Sequence, residues 1–325
     1  MNNNRILTGI QSTGFPHLGN LLSVILPTID LANKSLIPIF ISIANLHSLT
    51  NIKNIINNKD YIYNILATWI ACGLNINKAI IYKQSDIPEV TELAWYLSCF
   101  FKYKRLTLVH SFKDKINTLQ DINVGLFTYP MLMAADILLY NAKIIPVGKD
   151  QLQHIEITRK VARNFNRIMG KTFVLPIALT NVNTMYVPGT DGKKMSKSKN
   201  NIINVFISNK ILKKQIENIH TDNKSIQSSK DPNTNIIYSI YKLLVSEKLA
   251  NEIKNKYLNG NYGYFEAKND LYQCILNRFY NERKLFNSII NDKLYLDKIL
   301  NNRAEKAREI AHLNISNIRN ILRLK

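Results

Sequence analysis

The sequence predicts an α/β fold, a parallel sheet covered on both faces by helices, followed by a smaller all-α region. Three observations carry that prediction. Short β-branched apolar runs alternate with segments of helical period in the first part of the chain. Strand signals stop after about residue 207, and residues 211–324 read as helices separated by polar loops, notably 221–235. The 325 residues are 46% hydrophobic, enough to build the core of one large or two ordinary domains.

The elements follow in order. Residues 5–11 read as a short buried strand, and Ser12-Thr13-Gly14 turns the chain. Residues 18–33 have helical periodicity, and 36–43 form a β-branched apolar run, a second strand. A helix is expected over about 54–72, ending at Gly73 as helices often do. Residues 79–83 are a third strand. Helices are expected near 89–102 and 129–140, a strand over 143–147 and a helix over 151–168. A domain change is expected between about Met185 and Phe206. The division is 1–190 for the sheet domain, 191–206 for a loop, 207–300 for a helical domain and 301–325 for a last helix. That helix, near 303–322, is a candidate to pack back on the first domain.

Composition bounds the function. The net charge is +20 and the pI near 9.7, which suits a polyanionic partner because phosphate contacts release counterions. An A/T-biased genome is the competing source of the lysines, since Asn, Ile and Lys crowd the chain. No apolar run approaches the roughly 20 residues of a membrane helix, and residues 1–4 lack the blocks of a signal peptide, so a soluble intracellular protein is expected. Cys72, Cys99 and Cys274 are widely spaced, so neither a zinc site nor a disulfide framework is expected.

Four segments carry candidate chemistry. The first is Gly9-Ile10-Gln11-Ser12-Thr13-Gly14-Phe15-Pro16-His17-Leu18-Gly19-Asn20, which joins a strand to a helix. Small residues there let backbone approach a ligand, and a helix N-terminus favours anions. The dinucleotide spacing GxGxxG and a Walker lysine are both absent. His17 on its own reads equally as an ordinary turn residue. The second is Gly192-Lys193-Lys194-Met195-Ser196-Lys197-Ser198-Lys199, a basic loop able to close on a polyphosphate or simply to stand in solvent.

Taken together, the first two segments resemble the paired signature motifs of the class I aminoacyl-tRNA synthetases. Gly14-Phe15-Pro16-His17-Leu18-Gly19-Asn20 is similar to the HIGH motif with Asn20 at its second histidine, and Lys194-Met195-Ser196-Lys197-Ser198 matches KMSKS. The two lie roughly 175 residues apart and in the family's order.

The third segment is Tyr129-Pro130-Met131-Leu132-Met133-Ala134-Ala135-Asp136-Ile137. Positions 129, 133 and 136 share one helix face, which offers an aromatic, a soft apolar filler and an acceptor carboxylate. An indole, flat and apolar with one N–H, matches that set. A core stripe with a solvated Asp136 is the alternative, weakened by the apolar neighbours, since a buried carboxylate needs partners. The segment resembles the tryptophan-selecting helix of the bacterial tryptophanyl branch. Tyrosyl relatives typically carry glutamine where Met133 stands. The fourth segment, Gly148-Lys149-Asp150-Gln151-Leu152-Gln153-His154-Ile155-Glu156, is similar to that branch's GxDQxQHxE stretch. Phe112-Lys113-Asp114-Lys115 resembles its FKxK, and Ala44-Asn45-Leu46-His47 the stretch beside its tryptophan pocket. Asn45 departs from the usual Asp there. Ser12 departs from the usual Pro, which is expected to loosen the turn. The likeness spans almost the whole chain, dense before residue 205.

The resemblance implies a Rossmann-like catalytic domain and a smaller all-α anticodon-binding domain. It implies a ligase that activates L-tryptophan with ATP and Mg2+ and charges tRNA(Trp), as a cytoplasmic homodimer without membrane attachment. A tyrosyl-specific ligase and a non-catalytic RNA-binding paralogue are the alternatives. Catalytic roles pass by resemblance to His17, Asn20, Lys115, Lys194 and Lys197. ATP contacts pass to Gln11, Ser12, Thr13, Gly19, Asn20, Lys113, Lys115, Gly148, Lys149, Asp150, Met185, Lys194, Met195, Ser196, Lys197 and Ser198. Tryptophan contacts pass to Gly9, Gln11, His47, Tyr129, Met133, Asp136, Ile137, Ile145, Val147 and Gln151. No metal is expected on protein ligands. His154 and Glu156 are expected to be structural, and Trp95 to lie either at a dimer interface or in the core.

Overall fold

Alternating side chains along the strands sort the core onto two faces of one sheet. In this computed structural model, which describes residues 5–51, 56–109, 123–148, 151–180 and 186–324, five strands pair in parallel. They are β1 (Ile6–Ile10), β2 (Ile39–Ile43), β3 (Ala79–Lys83), β4 (Ile144–Pro146) and β5 (Ile177–Leu179), in the order β3-β2-β1-β4-β5. Ile6, Ile39, Ile41, Ala79 and Ile81 face one apolar cluster, while Leu7, Phe40, Ile80 and Tyr82 face the other. The order reverses between β1 and β4. The crevice beyond their carboxyl ends is where such sheets hold ligands.

The expected helices are present with shifted ends. The first, α1, joins Leu18–Asn20, a π-turn at Leu21–Ile25 and Leu26–Lys34. Pro27 accounts for the widened turn, since it has no N–H to donate and its ring would crowd the preceding carbonyls. The second strand begins at Ile39 rather than at residue 36. Pro38 cannot donate to the ladder, and Leu36 stands in solvent. Helix α2 (Asn58–Ala71) closes as expected at Gly73, whose φ is +95°. The Gly73 amide donates to Ile70 O and the Leu74 amide to Trp69 O, the paired bonds of a Schellman ending.

The second face carries α3 (Glu89–Cys99), the short α4 (Tyr103–Leu106), α5 (Val124–Leu139) and α6 (Leu152–Met169). Neither α4 nor β5 stands out in the sequence. β5 is a three-residue edge strand following Pro176, too short for its alternation to register. Trp95 is 68% exposed on α3, outside the core.

Beyond the loop after residue 190 come α7 (Asn209–Glu217), α8 (Ile236–Tyr241), α9 (Glu247–Asn259), α10 (Tyr264–Arg278), α11 (Tyr280–Ile290) and α12 (Lys293–Ile321). Leu212, Ile216, Leu271, Phe286 and Leu300 from these helices continue the first-face core of the sheet domain. The distal half of α12 lies on the second face, burying Ala304, Ala307, Ala311, Ile315 and Ile318. Alanines at three- and four-residue spacing let it approach closely, and Arg308 donates to Asp86 O and Asn314 to Leu139 O. Among the described residues no helix is long and apolar enough to cross a membrane.

Candidate active site

The first motif leaves β1 at the switch point and starts α1. His17 and Asn20 form a capping box there. His17 Nδ1 accepts the Asn20 amide at 3.3 Å, and Asn20 Oδ1 accepts the His17 amide at 3.2 Å. That bond makes Nδ1 the unprotonated nitrogen and leaves Nε2 to donate. Burial, with the charge of Lys197 adding, pushes the His17 pKa down to about 4, so the ring is neutral at working pH. Ser12 overturns the expectation of a loosened turn. Its hydroxyl is fully buried, 2.9 Å from Ser48 Oγ and donating to Asn58 Oδ1 at 2.6 Å, so it ties the exit of β1 to α2. Gln11 and Gly9 are exposed at the crevice, and Thr13 is half-buried.

The second motif folds over the first. Its base is a tight turn in which Pro188 pairs with Lys194, and the Met195 amide donates to Val187 O. Asn201, buried, holds the loop together. Its Oδ1 accepts the Ser196 amide at 2.7 Å, and its Nδ2 donates to Asp191 Oδ1 at 2.6 Å and to Lys194 O at 3.2 Å. Met195 is buried with its sulfur accepting the Gly19 amide at 3.3 Å. Lys197 Nζ donates to Gly14 O at 2.8 Å, and burial pushes its pKa down to about 8. Ser196 and Ser198 share a hydrogen bond of 2.8 Å, and Lys194 is exposed. Motifs distant in sequence thus meet through three side chains: Met195, Lys197 and His17.

The third segment joins a buried polar cluster. Tyr129 and Met133 are half-buried on α5 and Asp136 is 6% exposed, one turn further on. Ile137 and Ile145 are fully buried in the second-face core beneath them, and Val147 packs against that core. Tyr129 Oη lies 2.6 Å from His154 Nε2, so His154 props the tyrosine. Glu156, on the outer side of α6, pairs with Arg159 at 3.2 Å.

Asp136 has one partner that sequence reasoning missed. Gln84 follows β3 and is wholly buried. Its Oε1 accepts the amides of Leu46 and His47 at 3.1 and 3.3 Å, and its Nε2 donates to Asp136 Oδ2 at 2.7 Å. Nε2 also lies 2.9 Å from His47 Nδ1. Asn45, the departure from Asp, makes a reciprocal pair with Ser85 at 2.8 and 3.0 Å and so fixes the same loop. Burial raises the Asp136 pKa well above the usual carboxylate range while the Gln84 bond pulls it down, and burial lowers His47 to about 4. Asp136 Oδ1 is sealed from water with no partner among the described residues. The signal for Gln84 was physical rather than local, since a buried carboxylate demands a donor and Gln84 stands at a strand's carboxyl end.

In the fourth segment, Gly148 is half-buried at the end of β4, its carbonyl accepting the Gln151 amide at 3.0 Å. Lys113, Lys115, Lys149, Asp150 and Met185 lie outside the described residues.

The chain is similar to known proteins along nearly its whole length. Residues 1–280 match the family model described as tRNA synthetases class I (W and Y). The chain is 42% identical to the tryptophan–tRNA ligase of Fusobacterium nucleatum, over 98% of each sequence. It superposes on tryptophanyl-tRNA synthetase from Campylobacter jejuni, solved with ADP and tryptophan, with a TM-score of 0.92 and 39% identity, covering 98% of this chain and 99% of that one. The Mycoplasma pneumoniae tryptophanyl-tRNA synthetase matches at a TM-score of 0.80 and 27% identity, over 99% and 98% of the two chains. With its paired motifs closed on one another at the switch point of a parallel sheet, the chain belongs to the class I tRNA synthetases of the tryptophan and tyrosine branch.

Proposed function

We propose that this chain is a tryptophan–tRNA ligase: it converts L-tryptophan and ATP to tryptophanyl-adenylate and pyrophosphate, then transfers tryptophan to tRNA(Trp). The observation that carries this reading is Asp136 Oδ1, a buried acceptor with no partner among the described residues, beside Met133 and Tyr129. An indole brings one donor on a flat apolar body, whereas a phenol oxygen uses a second polar partner that Met133 does not offer.

In the first step the tryptophan carboxylate attacks the α-phosphorus and the bond to pyrophosphate breaks. The chain contributes position and charge rather than a covalent nucleophile. Lys197 and Lys194, with Lys115, neutralise charge gathering on pyrophosphate. The neutral His17 donates from Nε2, and Asn20 sits one turn along. Gln11 and Gln151 hold the amino acid's polar end. In the second step the terminal ribose hydroxyl of the tRNA attacks the adenylate carbonyl and AMP leaves. Mg2+ would arrive bound to the ATP polyphosphate and would share the charge that Lys194 and Lys197 meet there. The helices after residue 206 hold the anticodon end, the ligase works in the cytoplasm as a homodimer, and exposed Trp95 is assigned to the subunit interface.

ATP–pyrophosphate exchange with each amino acid in turn tests the reading. Exchange is expected with tryptophan and little with tyrosine. Tyrosine-dependent exchange, or none with any amino acid, would overturn it.

A further inference from the structure

We infer that Gln84 is a positioning residue for amino-acid selection: it occupies one oxygen of Asp136 so that the other is left, fixed in place, for the substrate's ring N–H. The inference rests on the tryptophan reading above and adds a residue that lies in none of the four motif segments.

Asp136 Oδ2 and Oδ1 are chemically alike, and a free carboxylate would present either. Gln84 breaks that symmetry. Its amide cannot be turned over, because Oε1 is held by two backbone donors, Leu46 N and His47 N. Nε2 must therefore face Asp136 Oδ2, at 2.7 Å. The same two amides belong to the stretch that carries His47, whose Nδ1 lies 3.9 Å from Asp136 Oδ2. One wholly buried side chain thus registers β3, the His47 loop and α5 against each other. A donor hydrogen bond also favours the ionised carboxylate in a site whose burial opposes it. Among the described residues, the titratable groups facing Asp136 are His47, Tyr82 and Tyr140, with Tyr129 and His154 beyond His47. His47 is neutral, and burial keeps the Tyr82 and Tyr140 hydroxyls protonated. Among the described residues, Gln84 is the donor hydrogen-bonded to Asp136.

Gln84→Glu separates this role from simple support of the fold. Glutamate keeps the acceptor for both backbone amides and loses the donor. At alkaline pH two carboxylates would face each other, and the KM for tryptophan in pyrophosphate exchange is expected to rise roughly 10- to 100-fold. On acidification the pair retains one shared proton, an O–H replaces the lost N–H, and the KM is expected to fall back toward the parent value. The KM for ATP and the kcat at saturating tryptophan should change by less than about twofold. Gln84→Met, which donates at no pH, should raise the tryptophan KM without recovery in acid; if the Glu variant does not fold, a rise confined to tryptophan, with the KM for ATP within about twofold of the parent, supports the inference, and a rise shared with ATP overturns it. An unchanged tryptophan KM in either folded variant overturns the inference. So does a loss shared equally by tryptophan and ATP and independent of pH in Gln84→Glu, which would make the residue a structural prop. Failure of the parent protein to use tryptophan would instead remove the functional reading beneath it.

Discussion

Two side chains carry the sharpest consequences of the site. Asp136→Asn changes one atom, yet the locked Gln84 amide leaves the new amide no good orientation. Facing its nitrogen toward Gln84 opposes two donors, and facing it inward opposes the indole N–H. Tryptophan-dependent exchange should lose roughly 10- to 100-fold in kcat/KM with the KM for ATP unchanged, and undiminished tryptophan use would remove Asp136 from the pocket. For Lys197, burial disfavours the ammonium, so the proton is held below about pH 8 and lost as pH rises through that value. With subsaturating ATP, kcat/KM for adenylate formation should fall on the alkaline side of about 8. His17, already neutral above about 4, contributes nothing in that window. Lys197→Arg should flatten the alkaline fall, because a guanidinium stays charged. A profile identical to that of the parent would place the titrating group elsewhere.

Among the elements, the basic loop depends most on one close approach. A Cβ on Gly189 would lie 2.4 Å from Asn201 Cγ and 2.5 Å from Asn201 O. Gly189→Ala must therefore displace Asn201, which bonds the Ser196 amide, Asp191 and Lys194 O. Misplacing the loop by even about 1 Å can cost on the order of 100-fold in rate. Single-turnover adenylate formation should slow by roughly 10- to 100-fold with the tryptophan Kd little altered, and a parent-like rate would show that Asn201 does not position the loop. The start of α1 shows how an element can be half legible. The sequence marks His17 and Asn20 as ligand contacts by resemblance, and the fold adds that the two cap the helix between them. Ser12 marks the limit of motif comparison: judged against the usual proline it looks like a loosened turn, but its partners Ser48 and Asn58 come from other elements.

For the whole molecule, the shared first-face core rules out a simple truncation test of tRNA binding. Leu212, Ile216, Phe286 and Leu300 pack in the same cluster as Leu21, Leu66 and Trp69, so removing the helices would strip the sheet domain of its cover. Charge reversal on the surface is the cleaner probe. Lys210, Lys213 and Lys214 are exposed on α7, whose Leu212 and Ile216 face inward. Reversing all three to Glu should leave pyrophosphate exchange intact, weaken aminoacylation, and lower the salt slope of tRNA binding by about one for each phosphate no longer neutralised. Unchanged charging at every salt concentration would take α7 out of the tRNA footprint and leave those lysines to composition.

The sequence by itself determined what is local and periodic. Short apolar, β-branched runs placed β1 to β4, and the three- and four-residue spacing of Tyr129, Met133 and Asp136 put them on one helix face. Motif resemblance marked His17, Asn20, Lys194 and Lys197, and the fold brings Lys197 against the first motif. Only the tertiary structure decided what depends on pairing between distant segments. β5 is a strand because β4 offers it an edge, not because three residues after a proline demand one. The helices after residue 206 share the first-face core, and the distal half of α12, with alanines along one face, lies on the second. Gln84 stands 52 residues before the carboxylate it holds, in a stretch with no pattern of its own. A hydrogen bond needs only proximity and direction, and for residues that far apart both are set by the order of strands in the sheet.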